Sequence, residues 1–293
     1  MQYLDRFDLP TDSDELAFVF ECRKLDMSCY QQHSAYPFHI FPHKELSRIE
    51  FAPITIFYGG NGSGKSTLLN VIAEKLKVSR KSPFNYTPFF DEYLKRCECY
   101  LTHGREVPKE SRIVTSDDVF DLLLDVRSMN QGIDREREAI YDEWKALRDD
   151  NSFRMTSLED FEELQRRNRA KRTTPSAYIH RRIPDNVMGR SNGESAYAYF
   201  LEKIQENALY LLDEPENSLS VKLQKQLAAY LEESVRFYHC QLIISTHSPF
   251  LLSLKGARIY DLDTVPVETR KWTELENVLV WHDFFEEHQH EFE

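Results

Sequence analysis

Ile54-Thr55-Ile56-Phe57-Tyr58-Gly59-Gly60-Asn61-Gly62-Ser63-Gly64-Lys65-Ser66-Thr67-Leu68-Leu69 is the stretch that decides the fold. Its apolar, β-branched start predicts a buried strand, and Leu68, Leu69, Val71, Ile72 and Leu76 after it carry a helical pattern. Between them lies G-x-x-x-x-G-K-[ST] in strand–loop–helix context. Glycines let successive backbone N–H groups turn inward around a polyphosphate, and the following helix aims its positive end at the same anion. Gly59, Gly60, Asn61, Gly62, Ser63 and Gly64 are therefore expected to form a cradle for a nucleoside triphosphate. Lys65 would reach the β/γ-phosphates, Ser66 would offer a hydroxyl to Mg²⁺, and Thr67 would bond an α-phosphate oxygen.

Working outward, Leu209-Tyr210-Leu211-Leu212 and Leu242-Ile243-Ile244-Ser245 read as buried strands, with Arg258 to Leu262 a third, and Arg112-Ile113-Val114 reads as a short strand. Helical patterns separate them, which predicts an α/β fold with a mostly parallel sheet covered on both faces. The 209–212 strand runs into Asp213-Glu214-Pro215-Glu216. At the carboxyl end of such a strand Asp213 is placed to hold the Mg²⁺ shell and Glu214 to polarise an attacking water. The 242–245 strand runs into Thr246-His247-Ser248-Pro249, so His247 sits beside the crevice at the same sheet edge, within reach of a γ-phosphate. Ser191-Asn192-Gly193-Glu194 opens another helix with a capping-box pattern. Its N-terminus is a second phosphate site, better supplied by a second copy than by the same chain.

The chain has 293 residues and a net charge of −12, which argues against a generally basic nucleic-acid coat. No apolar run reaches membrane-spanning length and the first residues lack a secretory pattern, so a cytoplasmic protein without membrane contact is expected. Cys22, Cys29, Cys97, Cys99 and Cys240 show no zinc spacing, and reduced thiols suit that compartment. A helix is expected over Phe89 to Cys99, and helical patterns run from Val119 to Val126 and, after Gly132, on to Leu147. A further cap at Thr156 to Asp160 opens a helix through Phe161 and Leu164.

Phosphate loop, Ser-Asn-Gly-Glu-Ser, Asp-Glu-Pro-Glu-Asn-Ser-Leu-Ser and Ser-Thr-His-Ser-Pro, in that order, resemble an ATP-binding-cassette (ABC) ATPase over about residues 47–263. The signature differs from that of membrane transporters. It is closer to the soluble branch of SMC-, RecF-, RecN- and OLD-type ATPases and to compact AAA-annotated ATPases found with phage-defence genes. The resemblance implies a P-loop core over 47–115 and 191–293, a helical lobe at 116–190 and an extension at 1–46. It also implies head-to-tail dimerisation around ATP and Mg²⁺, with Ser191, Asn192 and Gly193 touching the γ-phosphate in trans while Glu214 and His247 drive hydrolysis. The alternatives are a transporter's nucleotide-binding subunit and an ATP-gated scaffold with little turnover.

Two family features lack a clear counterpart. For the Q-loop glutamine, position suggests Ser116 or Asp117, with Gln131 the alternative. For the adenine-stacking aromatic, Tyr36, Phe38 and Phe41 compete with a core role. Arg166, Arg167, Arg169, Lys171, Arg172, Arg181 and Arg182 form a basic stretch without acids between 164 and 184. It reads as a contact for nucleic acid, as one for a partner effector such as a nuclease or toxin, or as a solvated face.

Overall fold

The computed structural model describes residues 1–24, 35–150, 153–154, 157, 160–183 and 191–292. In chain order the elements are β1 (Leu4–Asp8), α1 (Asp12–Lys24), β2 (Arg48–Glu50), β3 (Ile54–Tyr58), α2 (Lys65–Leu76), α3 (Phe90–Arg96), β4 (Glu98–Leu101) and β5 (Arg112–Thr115). Then follow α4 (Ser116–Asp149), α5 (Phe161–Arg172), α6 (Pro175–His180), α7 (Asn192–Lys203), β6 (Leu209–Asp213), α8 (Val221–Phe237), β7 (Gln241–Ser245), α9 (Pro249–Leu252), β8 (Arg258–Asp261), β9 (Glu268–Arg270) and α10 (Glu276–Glu287). Two compact units result: residues 1–119 with 192–293, and residues 120–191.

The first unit is an α/β fold around a six-stranded sheet of order β5-β6-β7-β3-β8-β9. All neighbours are parallel except β9, which returns antiparallel to β8. β3 and β7 are buried at every position, as expected of strands covered on both faces. The register aligns Thr115 with Asp213, Asp213 with Ser245 and Phe57 with Ser245. The carboxyl ends of four strands thus finish in one row, and the loops that carry the polar motifs leave from it.

A second, antiparallel sheet of order β2-β1-β4 lies in the same unit. The buried Gln241 side chain ties it to β7: its Oε1 accepts the Tyr3 and Leu4 N–H groups at 2.7 and 2.8 Å, and its Nε2 donates to the Leu4 carbonyl at 2.8 Å. A buried amide is tolerated because its bonding capacity is used. This sheet corrects the expected helix over Phe89 to Cys99. That helix stops at Arg96, and Glu98 to Leu101 is extended because β1, some ninety residues earlier, offers it backbone partners, with Phe7 opposite Cys99. The apolar core joins both sheets through Phe7, Phe41, Ile49, Phe57, Leu68, Leu69, Phe90 and Tyr93.

The second unit holds most of α4, a single helix of 34 residues that passes through Gly132 without a break. Among its described residues Trp144, Leu147, Ala170 and Tyr178 form a buried cluster, with Ile140 packed alongside. The Trp144 indole N–H donates to the Ala170 carbonyl at 3.0 Å. Most of the expected cap at Thr156 to Asp160 lies outside the described residues. No described helix is long and apolar enough to cross a membrane.

Candidate nucleotide site

The phosphate loop is built by β3 running into α2. Gly59 is glycine for steric reasons: a Cβ there would stand 2.6 Å from the Ser63 hydroxyl. Gly64 precedes α2 with φ of +97°, and a Cβ would press at 3.2 Å on Ile40. Lys65 is buried. Its Nζ donates to the Gly59 and Gly60 carbonyls at 2.8 and 3.1 Å and lies 3.7 Å from Glu214 Oε1. A buried ammonium satisfied by two loop carbonyls is poised to exchange them for phosphate oxygens. On the loop's other side the Gly60 N–H donates to Asp263 at 2.6 Å.

The row of strand ends supplies the acids. Ser66 Oγ donates to Asp213 Oδ1 at 3.0 Å, and the Ser245 hydroxyl donates to the same oxygen. Burial raises the Asp213 carboxyl above its ordinary range, against those two hydrogen bonds. A desolvated carboxylate beside a hydroxyl is a hard-oxygen pair of the kind Mg²⁺ takes, and charge neutralisation by a cation would relieve the cost of its burial.

Glu214 adopts a left-handed φ of 47°, fixed by its N–H donating to the Ser245 carbonyl at 3.0 Å. Strain of this kind at a non-glycine costs on the order of 1 kcal/mol and turns the side chain out of the strand line. Its carboxylate meets His247 Nε2 at 3.4 Å and accepts from Asn217 Nδ2 at 2.9 Å. The imidazole, then Asn217 and Lys65, hold its carboxyl at about 2, against the opposing effect of burial.

Glu216 positions the histidine. Buried, it accepts at Oε1 from the Thr246 hydroxyl (2.7 Å) and from the N–H groups of His247 (2.6 Å) and Ser248 (3.2 Å). Three donors on one oxygen fix the turn after β7, and Ser248 Oγ adds a bond to Gln224 at 2.8 Å. The sequence showed Glu216 only as one more acid, and neither its role nor that of Asn217 has a linear signal.

A cavity of about 410 Å³ opens beside these groups. Its lining includes Ser66, Thr67, Asp213 and Glu214 together with Tyr36, Asn70, Arg80, Phe84, Ser116 and Asp117. Of the three aromatics considered for base stacking, Tyr36 alone lines it, its hydroxyl donating to Thr67 Oγ1 at 3.1 Å. Phe38 and Phe41 are core: Phe38 stacks on Phe18 at 4.4 Å between ring centroids, and both are buried. Of the Q-loop candidates, Ser116 and Asp117 face the cavity, while Gln131 belongs to the other compact unit. Arg80 was not anticipated. Its guanidinium lies 4.0 Å from the Phe84 ring centroid and donates to Asn70 and Glu74, so a fixed positive charge faces the cavity.

The structure thus brings Lys65, Ser66, Thr67, Asp213, Glu214 and His247 together. Asn192 and Gly193 do not line this cavity. Ser191 and Asn192 are exposed at the start of α7, and Gly193 is packed, a Cβ there standing 3.0 Å from Leu223. Cys97 is a buried free thiol that burial pushes up to about 12, so it stays protonated and is a poor ligand or nucleophile. Cys22 and Cys29 lie outside the residues whose side chains are described.

Residues 192–252 match the protein family described as AAA ATPase domain. That span contains Asp213, Glu214, Glu216 and His247. No curated protein matches the chain. Among solved structures, the Smc head domain with an extended coiled coil from Pyrococcus furiosus, bound to the C-terminal domain of ScpA, is 14% identical with a TM-score of 0.41, covering 97% of this chain and 100% of that one. The SMC head domain from Thermotoga maritima is 14% identical with a TM-score of 0.36, covering 89% and 94%. A dimeric ATP-binding cassette, MJ0796 bound to ADP and Pi, is 15% identical with a TM-score of 0.36, covering 78% and 91%. Superpositions this loose carry no assignment of their own. The family match and the order of the motifs support the resemblance to ABC-type, SMC-like ATPases.

Proposed function

We propose that the chain binds ATP with Mg²⁺ at the 59–67 loop and hydrolyses it. The observation that carries this reading is the joint placement of Lys65, Ser66, Asp213, Glu214 and His247 at one sheet edge. Ser66 and Asp213 would hold the cation, which when bound neutralises charge on the β- and γ-phosphates. Lys65 gives up the loop carbonyls for phosphate oxygens. Glu214, ionised throughout the neutral range, orients the attacking water as an acceptor, and His247 bonds the γ-phosphate side of the same water. Tyr36 and Arg80, which line the same cavity, flank the nucleotide.

Two copies close head-to-tail, each giving its Ser191, Asn192 and Gly193 to the other's γ-phosphate. The exposed start of α7 is what such a contact requires. The closed dimer controls a partner effector such as a nuclease or toxin, or a nucleic-acid transaction in repair or phage defence, in a cytoplasmic setting.

Lys65→Ala should abolish ATP binding in calorimetry, and unchanged affinity would move the site elsewhere. Glu214→Gln should lower steady-state phosphate release by about 10²- to 10⁴-fold, the usual weight of a positioned acid–base group. Light scattering should then find this variant trapped as a dimer with saturating ATP and Mg²⁺. A wild-type chain that binds ATP but releases no phosphate would favour the scaffold reading.

A further inference from the structure

The helix α10 is dressed for a partner. Trp281, Phe284, Phe285 and His288 fall at i, i+3, i+4 and i+7 and form one stripe along it. Their rings pack on each other, Trp281 on Phe285 at 6.1 Å, Phe284 on Phe285 at 5.5 Å and Phe284 on His288 at 4.5 Å. They pack on little else: Trp281, Phe284, Phe285 and Phe292 are 52%, 48%, 50% and 73% exposed, and Val280 is 62% exposed. At ~200 Å² per aromatic side chain the four rings alone leave roughly 450 Å² in water. That is at the upper end of what a monomer shows, and more than half of the ~800 Å² each partner buries in a standard interface.

The charges around the stripe narrow the choice of occupant. Asp283, Glu286 and Glu287 flank it, and α10 has no Lys or Arg. Its inner end borders a groove of about 360 Å³ lined by Asp261, Asp263, Glu274, Glu276 and Asp283, with Arg270 the one cation. Packing α10 against its own copy would set these carboxylates against one another at a cost. The complementary chemistry lies on the other compact unit. Residues 120–191 hold as many Lys and Arg as Asp and Glu, so the net −12 resides in the rest of the chain. On α5, Arg166, Arg169 and Arg172 repeat every three residues and are exposed, with no ion pair to a described carboxylate.

We propose that the aromatic, acidic face of α10 docks on the arginine row of α5 (Arg166, Arg169 and Arg172) of a second copy, reciprocally, to form a nucleotide-independent dimer. The contact is separate from the ATP-driven closure proposed above and does not rest on it. Being reciprocal, it closes at two copies; a one-way version would run on into open chains. Apolar burial supplies the affinity, and the paired charges fix which surface is chosen.

Sedimentation velocity on the full chain, with EDTA and no nucleotide, tests this. We expect a concentration-dependent dimer that weakens as salt is raised. The double variant Trp281→Glu with Phe285→Glu should be monomeric over the same range, with an unchanged circular dichroism spectrum. A charge exchange guards against a mere folding defect. Glu286→Arg with Glu287→Arg should weaken association by about tenfold or more, and Arg166→Glu with Arg169→Glu in the same chain should restore it. A wild-type monomer throughout overturns the proposal, as does a dimer indifferent to the α10 substitutions or a charge exchange that fails to restore association. Because nucleotide is left out, loss of this dimer would not touch the ATP reading, and loss of ATP binding would not touch this one.

Discussion

The two compact units use their side chains in opposite ways. In residues 1–119 and 192–293 the central strands β3, β6 and β7 are buried almost throughout, and the carboxyl ends of β5, β6, β7 and β3 are in register. Each polar group of the candidate site is held by several neighbours: Glu214 by His247, Asn217 and Lys65, and the His247 backbone by Glu216. In residues 120–191 the buried cluster is small, with Trp144, Leu147, Ala170 and Tyr178 among the described residues, and the surface is laced with ion pairs such as Arg167 with Asp150 and Glu163, and Arg182 with Glu143. Exposed pairs of that kind contribute little to stability. Chemistry here sits where a sheet's register fixes it, and the helical unit is free to be marginal. Marginal units open easily, and elements that move are drawn from the low-stability end.

The hardest test of this contrast is Trp144→Ala. The indole is nearly fully buried in a small cluster of described residues and donates to the Ala170 carbonyl. Truncation should cost about 3–5 kcal/mol, more than so small a core can absorb. Hydrogen exchange should show protection lost across 120–183 but kept in β3, β6 and β7, with ATP affinity unchanged. Equal loss of protection in both units would mean they fold as one, and the comparison would fail.

The same contrast governed what could be read from the sequence. β3, β6 and β7 were legible because strands buried on both faces read as nearly continuous apolar runs, and the Gly-Lys-Ser and Asp-Glu motifs sit at fixed offsets from them. β4 was misread because Glu98 to Leu101 is extended only by virtue of β1, a partner that no local window contains. β9 gave no signal at all, being Glu-Thr-Arg and exposed at each position. α4 runs through Gly132 because a single glycine costs only about 1 kcal/mol in a helix, too little to break 34 residues. In the site, Lys65, Ser66, Asp213, Glu214 and His247 stood out by motif, while Arg80 did not. Glu216 and Asn217 fell within the Asp-Glu-Pro-Glu-Asn-Ser-Leu-Ser run, but that they hold other residues was not legible, since that role exists only as a distance.

A milder probe sits at the edge of the first unit. Glu15 on α1 is fully buried, accepting the His39 N–H at 2.7 Å, and its other oxygen has no partner. Burial pushes its carboxyl from 4.5 up to about 7, against the pull of that hydrogen bond. Between those values the folded chain keeps a proton that the unfolded chain releases. Stability therefore falls as pH rises through this window, and the whole penalty is in place above about 7. At 1.36 kcal/mol per unit it is on the order of 3 kcal/mol. Denaturant unfolding from pH 4.5 to 8 should show the decline, and Glu15→Gln should flatten it. A decline that survives in the variant would place its cause at another group.

The smallest expected effect is at Tyr36, two residues from an aromatic that serves the core. Tyr36 lines the cavity and reaches Thr67 through its hydroxyl, whereas Phe38 is stacked on Phe18 and edge-on to Tyr93 at 5.0 Å. If Tyr36 borders the nucleotide, Tyr36→Ala should weaken ATP binding by about tenfold, the worth of one stacking contact. The thermal midpoint should barely move, because the ring is only partly buried among core groups. Phe38→Ala should do the reverse, lowering stability by about 3–5 kcal/mol while the folded fraction binds ATP normally. Calorimetric affinity and thermal midpoint, measured on both variants, give a crossed pattern only when one ring serves the ligand and the other the core. Two variants that lose stability alike, with affinity unchanged, would return Tyr36 to the core and leave the cavity without an aromatic wall on that side.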